Sequence, residues 1–268
     1  MEPAPAELDA ADLARLAEAK RLLEQPGLAA RLTALVGSPI EAALERLPPG
    51  WESRVQAVVR RSLEGALEIA VRTLDDPAAP RPAGEKAHRW MAGASGAVGG
   101  ALGLSALAVE LPVSTGIMLR SVAAVARSEG EDLRAPETQL QCLSVFALGG
   151  ASGRDDAAET GYFAVRAALG RLVSEAAAQL ASRGAGGTGG GAVAGLLARI
   201  ASRYFPQVGQ KLAAQAVPVL GAAGGATVNV LFTRHFQDVA RGHFTVRRLE
   251  RRYGAAAVAA AYQRLPAP

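Results

Sequence analysis

The chain is predicted to be all-α, a multi-helix bundle with Gly/Ala-rich central helices, and three observations carry that prediction. Half of its 268 residues are hydrophobic but only 4% are aromatic, so its apolar content is aliphatic and small. Alanine heads the helix scale, whereas strands favour β-branched and aromatic residues. Several segments repeat apolar residues at three- and four-residue spacing, and no segment alternates as a strand does. Two stretches, residues 91–109 and 212–233, carry no charge and consist largely of glycine, alanine and other small side chains.

The elements follow in order. Residues 8–23 form a short amphipathic helix with Leu13, Leu16 and Leu23 on one side, stopped by Pro26-Gly27. Residues 54–74 form a stronger one, striped by Val55, Val59, Leu63, Leu67 and Leu74. Its wet face pairs Arg60 with Glu64 and Glu68 with Arg72, four apart. Residues 77–84, rich in proline, form a linker and end an N-terminal helical region covering residues 1–80. The first small-residue helix runs from about Met91 to Glu110 and ends before Pro112. A second runs from Ser114 to Gly130. Pro136 suits the first turn of a helix reaching Leu148. A long helix covers residues 158–182, and the glycine run 184–191 is a flexible loop. That loop lacks the Lys-Ser/Thr ending of a phosphate cradle. Pro206 divides a helix over 192–205 from one over 207–217. Further helices cover 227–241 and, rich in arginine, 244–253, where Gly254 is the stop.

Charge is unevenly spread. Residues 1–50 hold eight acids and five bases, whereas residues 234–252 hold six arginines against Asp238 and Glu250. One cysteine, Cys142, excludes an internal disulfide framework and a cysteine-based zinc site, and its apolar setting suits a buried small hydrophobe. The first residues carry acids and prolines rather than a basic segment followed by an apolar run, so no secretory signal is expected and the cytoplasmic side is the default.

The two uncharged stretches admit three readings: buried helices of a soluble or peripheral protein, partial insertion into a bilayer, or a full span. Residues 212–233 would measure about 33 Å as a helix, against a hydrocarbon core of about 30 Å. Gln215, Pro218, Asn229 and the glycines oppose insertion, as Glu110 does at the end of the first stretch. The spacings Gly96–Gly100, Gly99–Gly103 and Gly221–Gly225 permit close helix approach in lipid or in a tight core.

Several linked motifs resemble the EcsC protein family. They are residues 93–100 (GASGAVGG), 109–115 (VELPVST), 128–133 (SEGEDL) with Pro136-Glu137, and 155–161 (DDAAETG). The closing stretch resembles it most: residues 216–225 (AVPVLGAAGG), 235–238 (HFQD), 240–244 (ARGHF) and 246–250 (VRRLE). On this resemblance residues 85–254 form an EcsC-like helical domain and 255–268 a C-terminal helical tail. The family's namesake is encoded beside the components of an ABC transporter, which implies an accessory role at the membrane. The resemblance supplies no catalytic residues.

Candidate site residues fall into two groups. Glu110, beside a long apolar surface, could act as a proton or cation site, or could simply pair with a base at a helix end. His235, Asp238 and His243 lie close in sequence and could support acid–base chemistry, although no nucleophile accompanies them. They match no metal-ligand spacing, so neither metal nor other cofactor is expected. Residues 93–97 superficially resemble a nucleophile elbow but end in Ala97, with no strand before them. The arginines Arg241, Arg247, Arg248, Arg251 and Arg252 offer a surface for anionic lipid. Like charges four apart in that helix repel until an anionic surface, or carboxylates of the chain itself, relieve them. Nucleic acid is not expected, since Phe244 and Tyr253 are too few to stack bases along a strand.

The expected function is a membrane-associated accessory protein at the inner face of the plasma membrane, modulating an ABC transporter or another membrane complex. The alternatives are an enzyme using Glu110 or the His235/Asp238/His243 group, and a purely structural helical adaptor.

Overall fold

The stripe read over residues 54–74 forms as expected. In the computed structural model it is a helix, Trp51–Thr73, whose Val55, Val59, Leu63, Ala66, Leu67 and Ala70 are buried. The structure describes residues 7–24, 27–37, 39–73, 104–149, 158–183, 191–216 and 221–267. Most of the first small-residue stretch (91–103), its glycine pairs, the linker at 77–84 and most of the glycine run at 184–191 lie outside the described residues.

The described chain is helical throughout, with no strand among the described residues. In order the helices are α1 (Ala10–Glu24), α2 (Leu28–Val36), α3 (Ile40–Leu44), α4 (Trp51–Thr73) and α5 (Leu104–Ser128). They continue with α6 (Pro136–Leu148), α7 (Ala158–Arg183), α8 (Gly191–Gln215), α9 (Gly221–Tyr253) and α10 (Ala255–Arg264).

The helix at the centre is α6. Every residue from Thr138 to Ala147 is buried, and α4, α5, α7, α8 and α9 pack around it. A helix covered on all sides needs no polar face, provided its polar groups find partners. Two do so locally, where Ser144 donates to the Leu140 carbonyl at 2.9 Å and the Gln139 amide donates to the Leu133 carbonyl at 3.0 Å, and Gln141 does so across the fold, with His243. Most of the first Gly/Ala-rich stretch lies outside the described residues, and among those described α6 fills the central position with leucine, valine and phenylalanine. Around it lies one large core reaching from Leu28 to Phe244. A smaller core joins Leu16 of α1, Tyr162 of α7, Leu249 of α9 and Tyr262 of α10.

Three expected helix breaks are absent. Pro112 lies inside α5 and Pro206 inside α8. An internal proline frees the carbonyl four residues back, here that of Ala108 or Ser202. Both residues are exposed, so water can serve the freed oxygens. The third break, between residues 241 and 244, disappears into the 33-residue α9, about 50 Å long. Gly242 sits where α9 meets α1: a Cβ there would lie 2.6 Å from Leu23 Cγ and 3.0 Å from the Ala19 carbonyl oxygen. The expected stop at Gly254 does hold, at φ +86° in the left-handed region that favours glycine.

The stretch 212–233 is not one helix, since α8 ends at Gln215, Ala216 is a turn and α9 starts at Gly221. Among the described residues one segment, Leu107–Ser128 of α5, is long and apolar enough to cross a membrane, at mean hydropathy 1.3. Most of it is buried against other helices, as a core helix would be.

An arginine-lined cleft as the candidate functional site

The close approach at Gly242 sets α1 along α9, and α2 flanks the same side. Between the three helices opens a cleft of about 840 Å³. On α9, Arg234, Arg241 and Arg248 recur every seven residues, which is nearly two helical turns, so they share one face. Arg15 and Arg21 come from α1 and Arg31 from α2. Against these six guanidinium groups the lining holds Glu18, Glu129 and Asp238, a surplus of three positive charges. Ala19, Leu22 and Leu231 supply an apolar part of the wall.

Most of these charges already have partners. Asp238 lies between Arg31, at 3.2 Å, and Arg241, at 2.8 Å, and so ties α2 to α9. Arg248 meets Glu129 at 2.6 Å, Arg15 meets Asp12 at 2.9 Å, and Arg21 pairs with Glu18. Arg234 is exposed and has no carboxylate within 4 Å among the described residues.

The five arginines nominated from the sequence divide accordingly. Arg241 and Arg248 line the cleft, whereas Arg247, Arg251 and Arg252 lie outside it. Arg247 donates to Glu131 at 2.9 Å, and Arg251 bonds to the same carboxylate and to the Glu129 carbonyl. Together they pin the connection between α5 and α6 onto α9. Burial pushes the Glu131 carboxyl up, but the Arg247 hydrogen bond and the two positive charges outweigh it and leave its pKa below the usual value. Arg252 reaches Asp12 at 2.7 Å and Asp9 at 3.4 Å on α1 and the turn before it. The repulsion between like charges along α9 is thus relieved largely within the chain.

Glu110 is buried in α5 and meets the fully buried ammonium of Lys211 on α8 at 2.7 Å. Burial lowers the Lys211 pKa, and the neighbouring carboxylate opposes that shift. The Phe232 ring lies 5.0 Å from the same ammonium. Glu110 is thereby part of a closed ion pair in the core, away from the cleft lining.

The structure does not assemble His235, Asp238 and His243 into one site. His235 donates through Nε2 to the Gly149 carbonyl at 2.6 Å, and burial pushes its pKa down to about 4. His243 sits eight residues on, about 12 Å along the helix. Its Nε2 donates to Gln141 Oε1 at 3.2 Å, and its Nδ1 accepts the Tyr162 hydroxyl at 2.9 Å. Burial holds that ring neutral as well. Asp238 faces the cleft instead. Among the described residues no three His, Cys, Asp or Glu side chains converge as metal ligands would. Cys142 is buried in α6, and burial pushes its thiol pKa up, away from the reactive thiolate.

Arg15, Arg21, Arg31 and Arg234 escaped the sequence reading. The seven-residue recurrence of Arg234, Arg241 and Arg248 is a signal that could have added one of them. The other three needed the packing of α1 and α2 on α9.

Compared with known protein families, residues 20–249 match the EcsC protein family. The chain belongs to the EcsC protein family. The match begins within α1 and ends within α9, so it includes Arg21, Arg31, Arg234, Arg241 and Arg248 of the cleft but not Arg15, Glu18 or Ala19. No curated protein and no solved structure matches the chain.

Proposed function

We propose that this EcsC-family chain is an accessory protein that associates with the anionic inner face of a membrane and modulates a membrane complex, an ABC transporter among them. One observation carries the reading: the cleft between α1, α2 and α9 gathers six arginines against three carboxylates and keeps the exposed Arg234 unneutralised among the described residues. Each basic residue near an anionic membrane contributes about 1 kcal/mol, an attraction that salt weakens. Support of another kind comes from α5, where Val109 and Val113, one helical turn apart, are 71% and 50% exposed. Two such exposed apolar side chains suit peripheral contact with lipid.

The test is co-sedimentation of the full chain with phosphatidylcholine vesicles, with and without phosphatidylglycerol, over a range of salt. Binding should require the anionic lipid and weaken as salt rises. Complete recovery in the supernatant at low salt, with anionic vesicles present, would count against membrane association.

A further inference from the structure

We propose that the α1–α2–α9 cleft is a binding site for a phosphomonoester group carried on a partly apolar body, with Arg234 as its anchor. This deepens the preceding reading and rests on it only for the place where anions meet the protein. Four features lead to it.

The first is size: at about 840 Å³ the cleft can enclose an organic phosphate of ordinary ligand dimensions. The second is charge. The lining carries a surplus of three positive charges, and Asp12, beside Arg15, reduces it to two. A phosphomonoester brings about −1.5 to −2 at neutral pH. The third is direction. Guanidinium groups enter from three helices, through Arg21 on α1, Arg31 on α2, and Arg234, Arg241 and Arg248 on α9. Three terminal oxygens arranged tetrahedrally can accept from donors on several sides, whereas a planar carboxylate offers one edge. The fourth is the apolar wall of Ala19, Leu22 and Leu231, which gives the remainder of the molecule a surface to cover.

Binding would proceed by addition. Arg234 supplies its charge without first leaving a partner among the described residues. Arg31 and Arg241 keep their shared Asp238 and add positive charge to the lining. A group held this way would bridge α1 and α2 to α9 and so stabilise the native fold.

Two sources of the same chemistry are separable by experiment. The full chain is titrated with glycerol 3-phosphate in solution, and in parallel with phosphatidylcholine vesicles doped with phosphatidic acid or with phosphatidylglycerol. The variants are Arg234→Gln in the cleft and Arg60→Gln on the distant wet face of α4, with circular dichroism to verify folding. At least one phosphomonoester probe should bind and raise the melting temperature. Arg234→Gln should weaken that binding roughly tenfold, the loss expected for one charge-assisted contact, while Arg60→Gln should not. Binding of glycerol 3-phosphate assigns a soluble ligand, and preference for phosphatidic acid alone assigns a lipid headgroup. Either supports the site. Vesicle binding that is equal for both anionic lipids and unchanged by Arg234→Gln overturns the site but leaves membrane association standing. Arg234-dependent binding of glycerol 3-phosphate without vesicle binding does the reverse. Failure of both phosphomonoester probes to bind also overturns the site.

Discussion

At the residue scale the buried ionisable groups are the most informative features, because each is bonded to a group from another element. His235 has its pKa lowered to about 4 from the ordinary 6.5. A depressed histidine pKa means that the unfolded chain binds the extra proton first. Its contribution to stability is therefore complete above pH 6.5 and is lost as pH falls toward 4. Urea unfolding at pH 5 should show stability about 2 kcal/mol below that at pH 7.5 from this residue alone. His243 is shifted the same way and adds to the loss. In His235→Asn the pH dependence should shrink; an unchanged slope would show that the imidazole does not carry it. The Glu110–Lys211 pair makes a second prediction. Removing one partner leaves an uncompensated charge in the core, so Glu110→Gln or Lys211→Met should each cost about 3–5 kcal/mol, while Glu110→Leu combined with Lys211→Met should cost far less. Denaturant midpoints of the three variants measure this. The sequence marked Glu110 and both histidines as unusual, yet it could not supply their partners: Lys211, Gly149 and Tyr162 are brought to them only by tertiary packing.

At the element scale the lesson lies in the helix breaks. Local rules placed stops at Pro112, at Pro206 and near Gly242, and each was overridden. The two prolines survive because the carbonyls they free lie on wet faces, a property of packing rather than of local sequence. Gly242 costs α9 about 1 kcal/mol of helix propensity compared with alanine. In return the missing side chain lets α1 lie close against α9. Gly242→Ala should improve α9 considered alone yet destabilise the protein by about 1–3 kcal/mol, because the added methyl meets Leu23 and the Ala19 backbone. Calorimetry should show a lower melting temperature. A higher one would mean that α1 is looser on α9 than its contacts imply. Where sequence periodicity was strong and uninterrupted, as in α4, helix existence and the buried face were legible, since nothing non-local was needed to decide them.

At the scale of the whole molecule the fold class was readable because composition and periodicity agree over the full length. Family membership was readable because several short motifs occur in order. The centre of the bundle was not, since α6 carries Thr138, Gln139, Gln141 and Ser144 at positions that are all buried. Only their hydrogen-bond partners, some of them distant in sequence, make that burial tolerable. Less of the cleft was legible: Arg241 and Arg248 stood out in the sequence, but Arg234 did not, and α1 and α2, which close the cleft, lie some 200 residues earlier.

That separation has a consequence for synthesis. Lys20 on α1 donates its ammonium to the carbonyls of Tyr262 and Leu265, the first of them 242 residues away. At roughly 5–20 residues per second, α1 leaves the ribosome tens of seconds before this final partner exists. Until Tyr162 and then the Val246–Leu249 side of α9 are made, the apolar side of Leu16 and Ala19 has nowhere native to go, so the earliest helix made is among the last to be fully seated, and the growing chain must be kept from seeking other company.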